Sequence, residues 1–365
     1  MRVQRFMQRK GKIMTTRFNR ISLTTPVAAA FAPTDRSRTS GPRAARRQNR
    51  FRLTGTLTIF ASALICIGSA DPANAHGFAG KRFFPATLAT DDPFVADELS
   101  LPTVSRRKTA AGGDSPATLE TDASVDFTKR ITQNFGLGFG TTYLRMHPDE
   151  GETQKGFDNL SASLKYQFYK SDEHETILSV GADWDIGGTG AKSVGAESFS
   201  TVTPTVFFGK GFGDLSEGVK YLRPFAITGT AGIAMPTRSS TTTVDENGNA
   251  TTEQHPNVLN VGLAVQYSLP YLQSFVKDVG LGAPFNRMIP VVEFSLQKPL
   301  NRGGGPTTGT VNPGVLWAGK TMQFGIEAII PINSSTGGKT GVMAQIHFFL
   351  DDIFPRTIGK PLFGD

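Results

Sequence analysis

The chain of 365 residues has almost no cysteine: Cys66 is the only one, and it lies in an apolar run near the N-terminus. A single cysteine excludes both an intramolecular disulfide and a cysteine-based zinc site. The chain after residue 75 also has no run of eighteen apolar residues, which excludes membrane-spanning helices there. Glycine is abundant instead, with 40 residues, as expected of a β-rich chain with many turns.

The net charge of +7 comes from the N-terminal region alone. Residues 1–52 contain 14 lysines and arginines against one acid, Asp35, so the rest of the chain is mildly acidic. A nucleic-acid-binding domain needs a basic patch on its folded surface. The location of the charge therefore argues against nucleic acid as a partner.

The N-terminal region has the pattern of an export signal. Residues 53–70 are apolar or small and uncharged, arginines precede them, and Ala73-Asn74-Ala75 follows them. This order predicts a signal peptide over 53–75, cleaved after Ala75. An uncleaved anchor helix is the alternative. The basic leader, residues 1–52, is longer than a signal peptide needs, which is compatible with a translation start assigned too early.

Residues 159–186 show a clear alternation of apolar and polar residues with a period of two. Apolar residues occupy every second position from Leu160 to Phe168 and again from Leu178 to Ile186. This is the period of a β-strand with one apolar face. For both apolar faces to lie on one side of a hairpin, paired residue numbers must have an even sum. We therefore expect a loop of odd length, 171–173 or 171–175.

About twelve segments share this alternation, and long, Gly/Ser/Thr-rich connections mostly alternate with tight ones. The segments are 97–107, 117–131, 134–147, 156–170, 175–188, 199–212, 223–236, 257–271, 288–300, 309–319, 321–333 and 339–350. This pattern predicts an all-β fold, a transmembrane antiparallel up-and-down β-barrel of about 12 strands over residues 97–350. Such a sheet must close, because an open edge leaves unpaired backbone groups in lipid. The alternative is a soluble periplasmic β-sandwich or β-helix.

Aromatic residues cluster near the ends of these segments, where the interface girdles of such a barrel lie. They are Tyr143, Phe168, Tyr169, Phe207, Phe208, Tyr267, Trp317, Phe348 and Phe349. Residues 351–365 follow the last segment as a polar periplasmic tail, and 272–286 could form a short amphipathic helix.

Several phrases resemble a family of Gram-negative outer-membrane transporters akin to proteins of phenol meta-pathway (aromatic-degradation) operons. They are HGFAGKRFFPATLATDDPFVADELSLPT (76–103), PVVEFSLQKP (290–299), NPGVLWAG (312–319), EAIIPIN (327–333) and HFFLDDIFP (347–355). The resemblance implies an outer-membrane barrel for passive uptake of small, hydrophobic or aromatic organic compounds, without catalytic residues. The chain departs from the usual ending by continuing fifteen residues past Leu350.

The alternation also predicts which side chains line the barrel lumen. They are Glu120, Asp122, Asp126, Arg130, Lys165, Gln167, Asp183, Asp185, Gln266, Glu293, Gln297, Gln323, Glu327 and His347. Acids outnumber bases, so an open lumen would favour cations. The irregular segment 76–96 is long enough to enter the bore as a plug, with Phe83, Phe84 and Phe94 forming an apolar site. A disordered arm or a lid at the rim is the alternative.

An enzyme is not expected, and neither a cofactor nor a metal is predicted. The enzymatic alternative, an outer-membrane lipid-modifying hydrolase, would need His147 or His255 beside a serine. A structural or adhesive barrel is a further alternative, as is Cu(II) binding by His76 at a new N-terminus. The expected partners are outer-membrane lipid, a small-molecule substrate and the outer-membrane assembly machinery, and the sequence leaves the oligomeric state open.

Overall fold

A computed structural model describes residues 77–111, 116–244 and 248–364, and these form an almost entirely β structure. The leader, the signal peptide, its cleavage site and His76 lie outside the described residues. The strands are β1 (Phe78–Ala79), β2 (Arg82–Phe83), β3 (Glu98–Lys108), β4 (Thr118–Arg130), β5 (Phe135–Pro148), β6 (Gln154–Phe157), β7 (Leu160–Ser171), β8 (Thr176–Ile186), β9 (Thr201–Gly211), β10 (Phe225–Pro236), β11 (Ser240–Val244), β12 (Ala250–Gln254), β13 (Val258–Tyr267), β14 (Met288–Pro299), β15 (Thr308–Ala318), β16 (Met322–Pro331) and β17 (Gly341–Phe349). Two short helices are α1 (Leu269–Tyr271) and α2 (Leu350–Ile353).

Twelve of the strands form one closed antiparallel barrel. Each pairs with the next along the chain in the order β3, β4, β5, β7, β8, β9, β10, β13, β14, β15, β16 and β17, and β17 pairs with β3. The β17–β3 and β4–β5 pairings close the ladder, and the short strand β6 continues the pairing of β5 beyond the end of β7. The predicted barrel of about 12 strands is confirmed.

The connections divide the barrel into two unlike rims. The chain-end rim, where β3 begins and β17 ends, has turns at 131–134, 172–175 and 319–321. Its two longer connections are 212–224 and 268–287, and the second contains α1 followed by a helical turn over Leu272–Val276. The opposite, long-loop rim has longer connections, including the β11–β12 hairpin. The expected alternation of connection lengths is therefore present.

The outer wall is apolar. Large side chains that face outward and stay exposed include Leu164, Trp184, Val206 and Ile326. In a soluble protein so much contiguous apolar surface would be unfavourable, whereas it suits contact with lipid. Among the described residues, no helix is long and apolar enough to cross a bilayer.

The β7–β8 hairpin follows the predicted register but not the predicted turn. Pairs from Leu160–Ile186 to Gln167–Ser179 have even sums, as expected. The register then shifts at Phe168, and Tyr169 pairs with Leu178. This bulge adds one residue to β7, so the turn has four residues, 172–175, and the expected odd length was wrong.

Two of the predicted girdle aromatics face inward. Phe207 and Phe349 are only 4% and 2% exposed, whereas Phe208 on the outer face is 38% exposed. Successive residues of a strand point to opposite faces, so one member of each Phe-Phe pair must turn into the bore.

The tail after β17 folds back onto the chain-end rim. The amides of Leu362 and Phe363 donate to the carbonyls of Arg130 and Ile131, at 3.2 and 2.8 Å. The Arg130 guanidinium donates to the Gly359 carbonyl and forms an ion pair with Asp97 at 2.7 Å. Arg130, predicted to line the lumen, therefore lies at the rim and connects the tail to the start of β3.

Candidate functional site: the bore and the segment within it

Residues 77–97, which we term the inner segment, lie inside the bore of the barrel. The segment starts with the small hairpin β1–β2 at the chain-end rim and returns there to enter β3. Between these points it makes hydrogen bonds to side chains on strands at different sides of the wall. The partners are Thr128 on β4, Lys165 on β7, Ser179 on β8, Glu293 on β14 and Gln323 on β16. Because these strands surround the barrel axis, the segment crosses the bore.

Residues 88–90, which we term the apex of the inner segment, are held by one carboxylate. The Glu293 side chain accepts hydrogen bonds from the backbone amides of Leu88, Ala89 and Thr90 at 2.7, 3.1 and 2.5 Å. Glu293 is fully buried. The amides of an irregular segment have no sheet partner to replace these hydrogen bonds, and a buried amide that loses its acceptor costs free energy.

The wall beside the apex is shaped to admit it. Leu88 packs in an apolar cluster with Ile289 and Leu316, and the Gln323 amide donates to the Ala86 carbonyl at 2.6 Å. At Gly325 a Cβ atom would lie 2.4 Å from a methyl group of Leu88, and at Gly262 it would lie 2.7 Å from Thr90. These glycines permit the close approach of the segment to the wall.

The predicted plug residues lie in the half of the bore near the chain-end rim. Phe84 and Phe94 are buried, lie 5.7 Å apart between ring centroids, and pack with Ile177 and Ala226 of the wall. Phe83 is less buried and its ring contacts that of Phe349 edge-on at 6.1 Å. The structure thus brings the three phenylalanines into contact with the wall rather than around a shared empty site.

A second anchor lies at the chain-end rim, and sequence reasoning missed it. Buried Arg82 forms an ion pair with Glu175 at 3.1 Å and donates to the Pro224 carbonyl. Its guanidinium stacks on the ring of Tyr271 at 3.8 Å, and the Tyr271 hydroxyl donates to Glu175 at 2.9 Å. Burial and the nearby Glu175 carboxylate raise the pKa of Tyr271 to about 12. No sequence signal linked these three residues, which come from separate connections.

Two cavities flank the apex on its long-loop side. The first, of about 760 Å³ including open space, is lined by four aspartates, Asp91, Asp122, Asp126 and Asp158. The second, of about 810 Å³ including open space, is lined mainly by apolar side chains, together with amide and hydroxyl groups and with Asp91 and Asp183. Ala89 and Asp91 of the inner segment separate the two.

The remaining lumen candidates lie around these features. Lys165 forms an ion pair with Asp91 at 3.0 Å, and its ammonium lies 4.6 Å from the centroid of the Phe207 ring. Glu120 pairs with Arg107 at 3.5 Å. Buried Glu327 neighbours Glu293 and Asn312. Asp185 and Gln266 are also buried, Gln167 pairs with Ser179 on the neighbouring strand, and Gln297 pairs with Asn260.

The described histidines contact hydroxyl groups in three places. In the part of the chain that the structure describes, His147 contacts the Thr153 hydroxyl at 2.7 Å and His255 contacts the Thr241 hydroxyl at 2.8 Å, so the hydroxyl beside each histidine belongs to threonine and not to serine. Burial also lowers the pKa of His255. His347 contacts Ser100 at 2.9 Å, with Glu98 3.7 Å from its other nitrogen. Ser100 and His347 are 4% and 3% exposed, however, which closes this trio to substrate. Within the described ranges no cluster of three or more His, Cys, Asp or Glu could hold a metal ion.

Comparison with known proteins supports the fold. No protein-family model and no curated protein sequence matches the chain. An outer-membrane channel from Pseudomonas putida F1 is 10% identical, with a TM-score of 0.52 over 77% of this chain and 99% of that one. The β domain of the Bordetella autotransporter BrkA (12% identity, TM-score 0.41, 70% and 99% covered) and the monoaromatic hydrocarbon channel CymD (8%, 0.37, 69% and 88%) are more distant. The chain thus has the fold of an outer-membrane β-barrel.

Proposed function

We propose that the protein is an outer-membrane channel for passive uptake of small, hydrophobic or aromatic organic compounds, and that the inner segment plugs it. The observation that carries the proposal is the way the segment is held. It crosses the bore through side-chain hydrogen bonds and apolar packing, and it adds no strand to the barrel ladder. A closed barrel can therefore keep its wall while the segment moves.

The two surfaces of the wall support the same proposal. The outer face is apolar, as contact with lipid requires, and the long-loop half of the bore combines aspartates, amides and hydroxyls with apolar side chains. Carboxylates disfavour anions, so uncharged and cationic solutes are the expected cargo. Export through the predicted signal peptide and insertion by the outer-membrane assembly machinery complete the proposal.

Deletion of residues 77–94, with the leader retained, tests the plug. We expect the single-channel conductance in planar bilayers to rise several-fold, because the packed half of the bore loses its contents. A matched control deletes residues 241–253 from the β11–β12 hairpin at the long-loop rim, and it should conduct like the full chain. Equal conductance of the 77–94 deletion and the full chain would refute the plug.

Membrane location and cargo need separate measurements. The full chain should fractionate with outer membranes and migrate faster on a gel before heating than after it, as closed barrels do. Liposome swelling with phenolic compounds, fatty acids and sugars then ranks the solutes. A chain that stays in the aqueous extract would contradict the channel itself.

A further inference from the structure

We infer that one sector of the chain-end rim lies in the headgroup region of a phospholipid leaflet, with exposed apolar side chains of its two long connections inserted among the acyl chains. The connections are 212–224, between β9 and β10, and 268–287, between β13 and β14. The inference goes beyond the proposed channel, because it requires only a barrel that spans a bilayer and depends on neither the inner segment nor the cargo.

The two connections occupy neighbouring positions on the rim. The four strands that they join, β9, β10, β13 and β14, are consecutive in the barrel. The helical turns of the two connections, Glu217–Leu222 and Leu272–Val276, lie against one another. Together the connections expose six large apolar side chains, each between 43% and 55% exposed: Val219, Tyr221, Leu222, Phe275, Val279 and Phe285.

The tight turns of the same rim expose a different kind of surface. The turn at 172–175 exposes Asp172, Glu173 and His174, and the turn at 131–134 exposes polar side chains at 132–134. Apolar exposure is therefore a property of this sector and not of every connection at the rim. A group of exposed apolar side chains of this size indicates contact with an apolar partner.

The sector adjoins the lipid-facing wall at two outward aromatic residues, Tyr267 on β13 and Trp317 on β15. Each follows a buried, inward-facing residue, so it points to the opposite face of its strand. The Tyr267 hydroxyl donates to the Tyr221 carbonyl at 3.3 Å, and the Arg287 guanidinium lies 5.8 Å from the centroid of the Trp317 ring. The lipid-facing surface of the wall therefore continues onto both connections.

The residues at this junction suit a membrane interface. Tyrosine and tryptophan have an apolar ring and a polar group, and both are enriched where acyl chains meet headgroups. Arginine at such a position anchors the protein to the interface and can donate to lipid phosphates. Because the adjoining wall contacts acyl chains, the continuous surface that exposes Leu222 and Phe285 meets the same lipid.

Site-directed spin labelling in phosphatidylcholine vesicles tests this location. On a Cys66→Ser background, a nitroxide label is attached to the full chain at Leu222→Cys or at Phe285→Cys. Its collision rates are measured with molecular oxygen, which concentrates in lipid, and with a water-soluble nickel chelate. The matched controls are Glu173→Cys in the polar turn of the same rim and Ile326→Cys on the outer wall.

We expect the ratio of oxygen to nickel collision rates at Leu222→Cys and Phe285→Cys to exceed that at Glu173→Cys several-fold and to approach that at Ile326→Cys. The reason is that lipid around the label admits oxygen and excludes the charged or polar chelate. Tyr221→Cys replaces Leu222→Cys if the latter does not give a heat-modifiable barrel.

Two results would overturn the inference. A ratio at either position no higher than that at Glu173→Cys would place the connection in water. Low collision rates with both reagents, together with spin–spin broadening, would show that a second copy of the chain covers the sector. The labels report lipid contact independently of transport, so lipid contact at both positions without conductance in the 77–94 deletion would keep the inference and refute the channel.

Discussion

The two halves of the bore are built in different ways, although the same twelve strands form both. Near the chain-end rim the inner segment fills the space, and Phe84 and Phe94 pack against Ile177 and Ala226. Toward the long-loop rim the two cavities remain; carboxylate and hydroxyl groups are prominent in the wall of the first, and apolar side chains in the wall of the second. The packed inner segment therefore occupies one half of the bore and leaves space in the other. Polar inward-facing residues alone do not show whether a bore is open.

The largest effect on this contrast is expected from Glu293→Ala. Three buried amides would lose their acceptor, at a cost to docking of the apex of about 3 kcal/mol or more. Hydrogen exchange at Leu88, Ala89 and Thr90 should accelerate, and bilayer recordings should show openings that resemble those of the 77–94 deletion.

Two further variants serve as an intermediate case and a control for Glu293→Ala. Glu293→Gln keeps one oxygen acceptor in place of two, so its amide exchange rates and its conductance should fall between those of the alanine variant and the unmodified protein. Lys298→Ala, at an exposed position on the same strand, should change neither the amide exchange nor the conductance. A folded Glu293→Ala barrel with unchanged exchange at all three amides would show that the apex is held by packing alone.

A smaller effect is expected from Gly325→Ala, which adds volume where the wall meets Leu88. The added Cβ atom would lie 2.4 Å from a Leu88 methyl group and 2.8 Å from Leu316, and overpacking of this kind costs about 1–3 kcal/mol. The conductance should rise while gel mobility still reports a closed barrel. Gly282→Ala, where an added Cβ has no neighbour within 4 Å, is the control. Equal conductance for Gly325→Ala and Gly282→Ala would contradict a tight fit at the apex.

The smallest effect concerns the rim anchor at alkaline pH. The pKa of Tyr271 is raised to about 12 in the folded protein, above its ordinary value near 10. The folded state therefore retains the Tyr271 proton more strongly than the unfolded state. Stability is unaffected below pH 10 and falls as the pH rises toward 12, by about 1–2 kcal/mol. Thermal unfolding from pH 9 to 12 should show this loss, and Tyr271→Phe should flatten the profile in that range. If Tyr271→Phe lost as much stability between pH 9 and 12 as the unmodified protein, Tyr271 would not be the source of that loss.

Most strands, and the wall they form, were predictable from the residues. The segment predicted at 175–188 became β8 at Thr176–Ile186, and the one at 288–300 became β14 at Met288–Pro299. The alternation also predicts that Glu293 and Gln323 face the lumen, since a strand turns every second side chain to the same face. The bulge at Phe168 was not predictable, because its only signal is a pair of adjacent aromatics that fits either register.

The alternation of apolar and polar residues by itself determined that this chain forms a barrel of about twelve strands, because side-chain direction in a strand is a local property with a period of two. Only the tertiary structure decided where residues 77–97 go. The contacts that hold them, from Glu293 to Leu88 and from Glu175 to Arg82, join positions 205 and 93 residues apart. No local pattern encodes such pairs, since they exist only once the wall has closed around the segment.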